Sequence, residues 1–122
     1  MSIININKTD FEGSFLKSYP NDIVIILFKA EWCKFCVEFK SLYEELSKKY
    51  ISKVIFTQID IDSETELLNN INANPFSYSI KTYPTIVIYK QGYYLDTFTE
   101  KRERDILISY LNNIININNN KY

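Results

Sequence analysis

The chain has 122 residues, 46% of them hydrophobic and 24% charged, with a formal net charge of −1, enough for one domain that buries roughly two-thirds of the surface its unfolded form exposes. A balance so close to neutral gives no reason to expect nucleic acid or an anionic membrane surface as partner, and the longest apolar run, Ile23–Phe28, is far too short to span a bilayer. Ile, Asn, Lys and Tyr are abundant while Ala, Gly, Pro and Arg are scarce, a bias towards AT-rich codons, so the many asparagines are given no individual roles.

Ile3, Ile4 and Ile6 predict a short first strand, and the stretch from Met1 to Asn7 lacks the basic-then-apolar pattern of a secretory signal, so a cytoplasmic protein is expected. Thr9 and Glu12 have capping-box spacing and predict a helix from about Asp10 to Tyr19, ended by a turn at Pro20-Asn21-Asp22. Ile23 to Lys29 is almost continuously apolar, the pattern of a central strand buried on both faces. A helix follows from Cys33 to about Tyr50, with Cys36, Phe39, Leu42, Tyr43 and Leu46 at helical spacing. Val54 to Asp60 reads as a third strand. Ser63 and Glu66 repeat the capping-box spacing and open a helix through Leu67, Leu68 and Ile71. Asn74-Pro75 interrupts that helix, and Phe76 to Ile80 is expected to resume as a short helical turn. Thr85–Lys90 and Tyr93–Thr99 form a hairpin about Gln91-Gly92. A last helix runs from Glu103 to Ile117, so residues 1–117 are expected to be the folded domain and 118–122 an Asn-rich tail that frays.

The order β-α-β-α-β-α-β-β-α predicts an α/β fold. Parallel strands with crossover helices come first, an antiparallel hairpin adds an edge, and helices cover both faces of the mixed sheet. Ligand sites on such sheets lie at the carboxyl edge of the strands. Cys33 stands at that edge, just beyond Lys29.

Trp32-Cys33-Lys34-Phe35-Cys36 holds the chain's two cysteines. A strand feeding a Cys-x-x-Cys that opens a helix is a form of dithiol redox centre. Two thiols within one helical turn can close into a disulfide, and the first lies where helix N-terminal amides stabilise a thiolate. Buried core thiols are the competing reading. Structural zinc asks for four Cys or His ligands, and two Cys with no His leave only a metal shared across a dimer; no metal is expected. Where the cytosol keeps thiols reduced, an isolated pair reads as catalytic rather than as a staple.

With these residues in place, the chain resembles the thioredoxin superfamily over nearly its full length. Ala30-Glu31-Trp32-Cys33-Lys34-Phe35-Cys36 is similar to the family's active-site segment, Tyr83-Pro84-Thr85 to its cis-proline loop, and Gln91-Gly92 to its hairpin. The resemblance implies a thioredoxin fold and a thiol–disulfide oxidoreductase that reduces protein disulfides, with no cofactor beyond a redox-active Cys33–Cys36 disulfide. Cys33 would attack a substrate disulfide and Cys36 would resolve the mixed disulfide. Trp32 would offer an apolar contact surface, Lys34 and Phe35 would border the substrate path, Pro84 would be cis, and the Tyr83 backbone would pair with an extended substrate segment. Taken alone, Pro84 reads as a trans turn proline and Trp32 as a core residue. The implied partners are protein disulfides and an electron donor, either a reductase or glutathione; a monomer is expected.

The chain also departs from the family pattern. Many thioredoxins carry a buried acid six residues before the first cysteine, where this chain has Leu27, and the acid's frequent lysine partner falls at Gln58. Losing both is self-consistent, because a buried charge without its partner costs several kcal/mol, but it leaves open whether water or another group deprotonates Cys36. Lys34-Phe35 is neither the Gly-Pro of reducing thioredoxins nor the Gly-His of disulfide isomerases. Lys34 either favours the Cys33 thiolate or is simply solvated. Glu100 replaces a usual glycine and is expected at the mouth of the site. Arg102 matches an isomerase arginine that approaches the second cysteine; it either lowers the Cys36 pKa or merely opens the last helix. Beside the reductase stand a disulfide-isomerase-like enzyme, a thioredoxin-fold binding module with incidental redox activity, and a glutaredoxin-like glutathione or cluster binder.

Overall fold

The computed structural model describes residues 3–119. Within them the elements are β1 (Ile3–Asn5), β2 (Ile23–Lys29), α1 (Lys34–Lys49), β3 (Ile55–Asp60), α2 (Thr65–Asn72), β4 (Thr85–Lys90), β5 (Tyr93–Thr97) and α3 (Arg104–Asn119). The strands form one sheet in the order β1-β3-β2-β4-β5. β1 and β2 run parallel to β3, and β4 runs antiparallel to both β2 and β5.

β2 is the middle strand, and Ile23 through Phe28 are all buried. Its period of two divides the core. Val24, Ile26 and Phe28 join Leu67 and Ile71 of α2 with Phe11 and Leu16. Ile23, Ile25 and Leu27 join Phe39, Tyr43 and Leu46 of α1 and Leu107 and Leu111 of α3. A strand buried on both faces must be apolar at every position, so its unbroken apolar run gave both its ends.

Three expected helical segments differ. The helix expected over Asp10–Tyr19 is only a single 3₁₀ turn at Lys8–Asp10. Asn7, not Thr9, caps it: its side-chain oxygen accepts the Thr9 N–H at 2.9 Å, while the Asp10 carboxylate accepts the Asn7 N–H at 2.9 Å. The chain then reverses through Gly13 (φ 60°), with Glu12 and Phe15 exchanging backbone hydrogen bonds of 2.8 and 3.0 Å. That positive φ ends any continuing helix. At α2 the expected Ser63–Glu66 box does not form: the Ser63 hydroxyl donates to the Asp60 carbonyl at 3.2 Å, and Glu64 stands at the cap but makes no capping bond, its carboxylate accepting the Lys8 N–H at 3.1 Å instead. Phe76–Ile80 does not resume as helix, because Asn74 (φ 79°) and Ser77 (φ 65°) turn the chain. Asn72 secures the segment instead, accepting from Ile80 N at 2.7 Å and donating to Ile80 O at 3.0 Å.

β5 ends at Thr97 rather than Thr99, after a register shift between Ile88 and Tyr89. Gly92 in its hairpin has φ 85°, a conformation that strains any side chain, and a Cβ there would press on the Phe15 ring, which would have to move. Of the expected tail, residues 118–119 continue α3 and 120–122 lie outside the described residues.

Candidate active site

The connection from β2 to α1 sets the site. Cys33 is the N-cap of α1, with extended backbone (φ −84°, ψ 110°), and its sulfur accepts the Cys36 N–H at 3.1 Å. This is the place where Ser, Asp or Asn usually supplies a capping oxygen. A sulfur there faces unsatisfied amides and the positive end of the helix dipole, so it is held better as a thiolate than as a thiol. Lys34 is the first helical residue, and the first turn of α1 contains no acid to oppose that charge.

Cys33 and Cys36 form a disulfide with a Cα–Cα distance of 5.2 Å. Each is 6% exposed, whereas Trp32 is 65% and Phe35 59% exposed. The Tyr83–Pro84 peptide bond is cis, and the Tyr83 carbonyl oxygen lies 3.5 Å from Cys33 Sγ. Trp32 donates its indole N–H to Asp62 at 3.1 Å and sets its ring edge-on to Tyr83, with centroids 6.0 Å apart. Burial, and then the Asp62 charge, raise the Tyr83 hydroxyl's pKa. The structure thus brings Trp32, Cys33, Lys34, Phe35, Cys36, Tyr83 and Pro84 to one edge of the sheet. Asp62, which orients Trp32, went unnoticed in the sequence; its position just beyond the carboxyl end of β3 was the available signal.

A cleft flanks each side of the first turns of α1. One, about 460 Å³ and open, is lined by Phe35, Glu38, Phe39 and Leu42 with Lys101, Arg102 and Glu103. Arg102 therefore lies beside Phe35, in a cleft that Cys36 does not line. Glu100 lines neither cleft; it lines another, with Asp105, Ile106 and Tyr110 of α3.

The other cleft, about 310 Å³, lies behind the dithiol. Cys36, Leu27 and Gln58 line it with Lys29, Lys40 and Glu44. Leu27 is 4% exposed and stands opposite Gln58 in the β2–β3 register. Gln58 Nε2 donates to Asn5 Oδ1 at 2.8 Å. Lys29 pairs with Glu31 at 3.2 Å. Tyr43 also borders this cleft, donating its hydroxyl to the Thr57 carbonyl at 2.6 Å, and burial raises its pKa well above the ordinary tyrosine value. Among the described residues the buried polar side chains are Ser47 and Thr57, so no buried carboxylate stands behind Cys36. Among the same residues no cluster of three or more His, Cys, Asp or Glu is placed to hold a metal, and no helix is long and apolar enough to cross a membrane.

The family model described as Thioredoxin matches residues 2–113. A thioredoxin of Rickettsia bellii is 34% identical over 112 residues, covering 91% of this chain and 97% of that protein. Thioredoxin 1 of Plasmodium falciparum is 38% identical over 77 residues, covering 63% of this chain and 66% of that protein. Among solved structures, Malassezia sympodialis thioredoxin superposes with a TM-score of 0.70 at 23% identity, covering 91% of this chain and 89% of that one. Human ERp44 reaches a TM-score of 0.74 at 18% identity, covering 94% of this chain and 30% of that one. Both structural likenesses are likenesses of fold.

Proposed function

We propose how this chain, which belongs to the thioredoxin family and is a thiol–disulfide oxidoreductase acting on protein disulfides, divides the exchange between its two sulfurs. The Cys33 thiolate attacks one sulfur of a substrate disulfide. The other substrate sulfur leaves as a thiolate and takes up a proton, and Cys33 holds the first in a mixed disulfide. Cys36 then gives up its proton and attacks the Cys33 sulfur. The second substrate cysteine leaves, and the Cys33–Cys36 disulfide remains. Two electrons from a donor of the dithiol class, a reductase or glutathione, restore the pair. No cofactor takes part beyond the disulfide itself.

The observation that carries this division is the cap: Cys33 accepts the Cys36 N–H at 3.1 Å and is the sulfur held by the helix N-terminus. Trp32, Phe35 and the cis Tyr83–Pro84 step form the substrate contact, with the Tyr83 carbonyl beside Cys33. Lys34, in the first turn of α1, favours the Cys33 thiolate, and Arg102 adds positive charge from the cleft beside Phe35. We assign the activity to a monomer, to the single domain that α3 closes, and to a reducing compartment such as the cytoplasm, with neither nucleic acid nor membrane as partner.

Insulin reduction with a dithiol donor tests the assignment. Cys33→Ser is expected to abolish it, and Cys36→Ser to trap a mixed disulfide that dithiothreitol releases. Activity surviving Cys33→Ser overturns the assignment. The potential separates reductase from isomerase: about −270 mV marks the first and about −180 mV the second.

A further inference from the structure

We propose that Lys40 is the group that eases proton loss from Cys36, its ammonium stabilising the Cys36 thiolate across the cleft behind the dithiol while water in that cleft takes the proton. This rests on the reading of Cys36 as the resolving thiol.

Cys36 is 6% exposed and must become a thiolate before it can attack. Burial opposes that ionisation, and the strands behind it offer Leu27 opposite Gln58, neither of which takes a proton or carries a charge. The cleft supplies both missing parts. Its volume of about 310 Å³ leaves room for several water molecules, each of which takes about 30 Å³ in the liquid. It is lined along α1 by Cys36, Lys40 and Glu44, a row at successive four-residue steps. Helical side chains lean towards the N-terminus and lie over the residue one turn back. That spacing puts Lys40 one turn after Cys36 on the cleft side of α1, and Glu44 one turn further on.

The other charged groups facing the cleft do not duplicate Lys40. Lys29, at the end of β2, and Glu31 of the following loop both line the cleft and pair with each other at 3.2 Å, so their charges offset. Glu44 stands two turns from Cys36, Gln58 of β3 is neutral, and Tyr43 keeps its proton because burial raises its pKa. Among the described residues Lys40 belongs to no ion pair. The step balances without a further reagent: the Cys36 proton passes to water, the Cys36–Cys33 bond forms as the bond from Cys33 to substrate breaks, and the departing substrate thiolate takes a proton from solvent.

The test reads Cys36 alone. In a Cys33→Ser background Cys36 is the single thiol, and the ultraviolet absorbance of its thiolate is followed against pH. Lys40→Met is expected to move that titration up by about half to one pH unit, as for a cation lost a few ångströms from a thiolate in a hydrated site. Lys40→Arg restores it, and added salt shrinks the difference between wild type and Lys40→Met. In the dithiol protein the pH profile of insulin reduction moves the same way. Superimposable Cys36 titrations for wild type and Lys40→Met, or a failure of Lys40→Arg to restore the shift, overturn the role of Lys40. A Cys36→Ser protein that traps no mixed disulfide overturns instead the resolving role of Cys36, whatever the titrations give.

Discussion

In front of the Cys33–Cys36 pair lie the exposed aromatic groups Trp32 and Phe35; behind it lies Leu27, 4% exposed, above a floor that includes the buried Tyr43. The front has a sulfur held by helix amides, exposed aromatic surface and a backbone carbonyl at 3.5 Å. The back has no buried carboxylate among the described residues. The difference teaches that the two sulfurs are activated by separate means. Cys33 draws on the geometry that begins α1, which any helix N-terminus supplies. Cys36, three residues into the same helix, has its amide committed to Cys33 and must find its stabilisation in the cleft.

The strongest way to break that contrast is to put an acid behind Cys36. Leu27→Asp places a carboxylate where Gln58 offers no opposite charge, and the expected cost is about 2–4 kcal/mol at neutral pH. Burial raises the new carboxyl's pKa above its unfolded value. The variant is then least impaired below the unfolded pKa and loses stability as pH rises through the folded one. Urea midpoints at acid and neutral pH measure this. Equal midpoints for variant and wild type at neutral pH would mean that position 27 is solvated. Faster turnover in a variant that still folds would show that proton loss from Cys36 limits the natural protein.

How far the sequence reveals this contrast depends on how many positions each feature needs. β2 was legible from end to end because a strand buried on both faces constrains every residue it contains. The dithiol was legible because its spacing, its strand and its helix lie within one short segment. Helix starts near Thr9 and Ser63 were misplaced because capping spacing is satisfied by several overlapping choices. Asn7 with Asp10 competed with Thr9 and Glu12, and Ser63 turned back to Asp60. The turn at Asn74 and Ser77 depends on positive φ values that neither residue type announces. The back cleft was legible only by subtraction, from Leu27 and Gln58. Lys40 gains meaning once β2, β3 and α1 are packed together, since no short segment contains all three.

A second measurement sharpens the view of the protein's hidden polar groups. Burial raises the hydroxyl of Tyr43 on one face of the sheet, and those of Tyr78 and Tyr89, which share a 2.9 Å hydrogen bond, on the other. Above the ordinary tyrosine pKa the unfolded chain releases these protons while the native protein retains them. The unfolded state then binds fewer protons, so stability falls with rising pH, by about 1.4 kcal/mol per pH unit for each tyrosine that stays neutral. Urea midpoints are expected to hold through neutral pH and to drop steadily above about pH 10. Tyr43→Phe should remove one tyrosine's share of that slope, and an unchanged slope would mean Tyr43 ionises in the native protein.

The smallest expected effect concerns the boundary of the front. Glu100 is exposed and lines a cleft with Asp105, Ile106 and Tyr110 of α3, apart from the one that holds Phe35 and Arg102. The Tyr110 hydroxyl, raised first by burial and then by its hydrogen bond to Asp96, also feels the Glu100 charge. Exposed charges act on encounter only within about a Debye length and weaken as salt rises. A carboxylate that lines a cleft on α3 and is felt at Tyr110 is expected to act there rather than over Cys33. Glu100→Gly is therefore expected to leave the ratio of reduction rates for an acidic and a basic disulfide peptide unchanged at low and high salt. The contrast with Lys34 makes the experiment decisive, because Lys34→Gln alters charge in the first turn of α1 and should change that ratio most at low salt. If Glu100→Gly instead raises the rate for the acidic peptide and salt erases the gain, the front extends into the loop before α3, and Glu100 selects substrates after all.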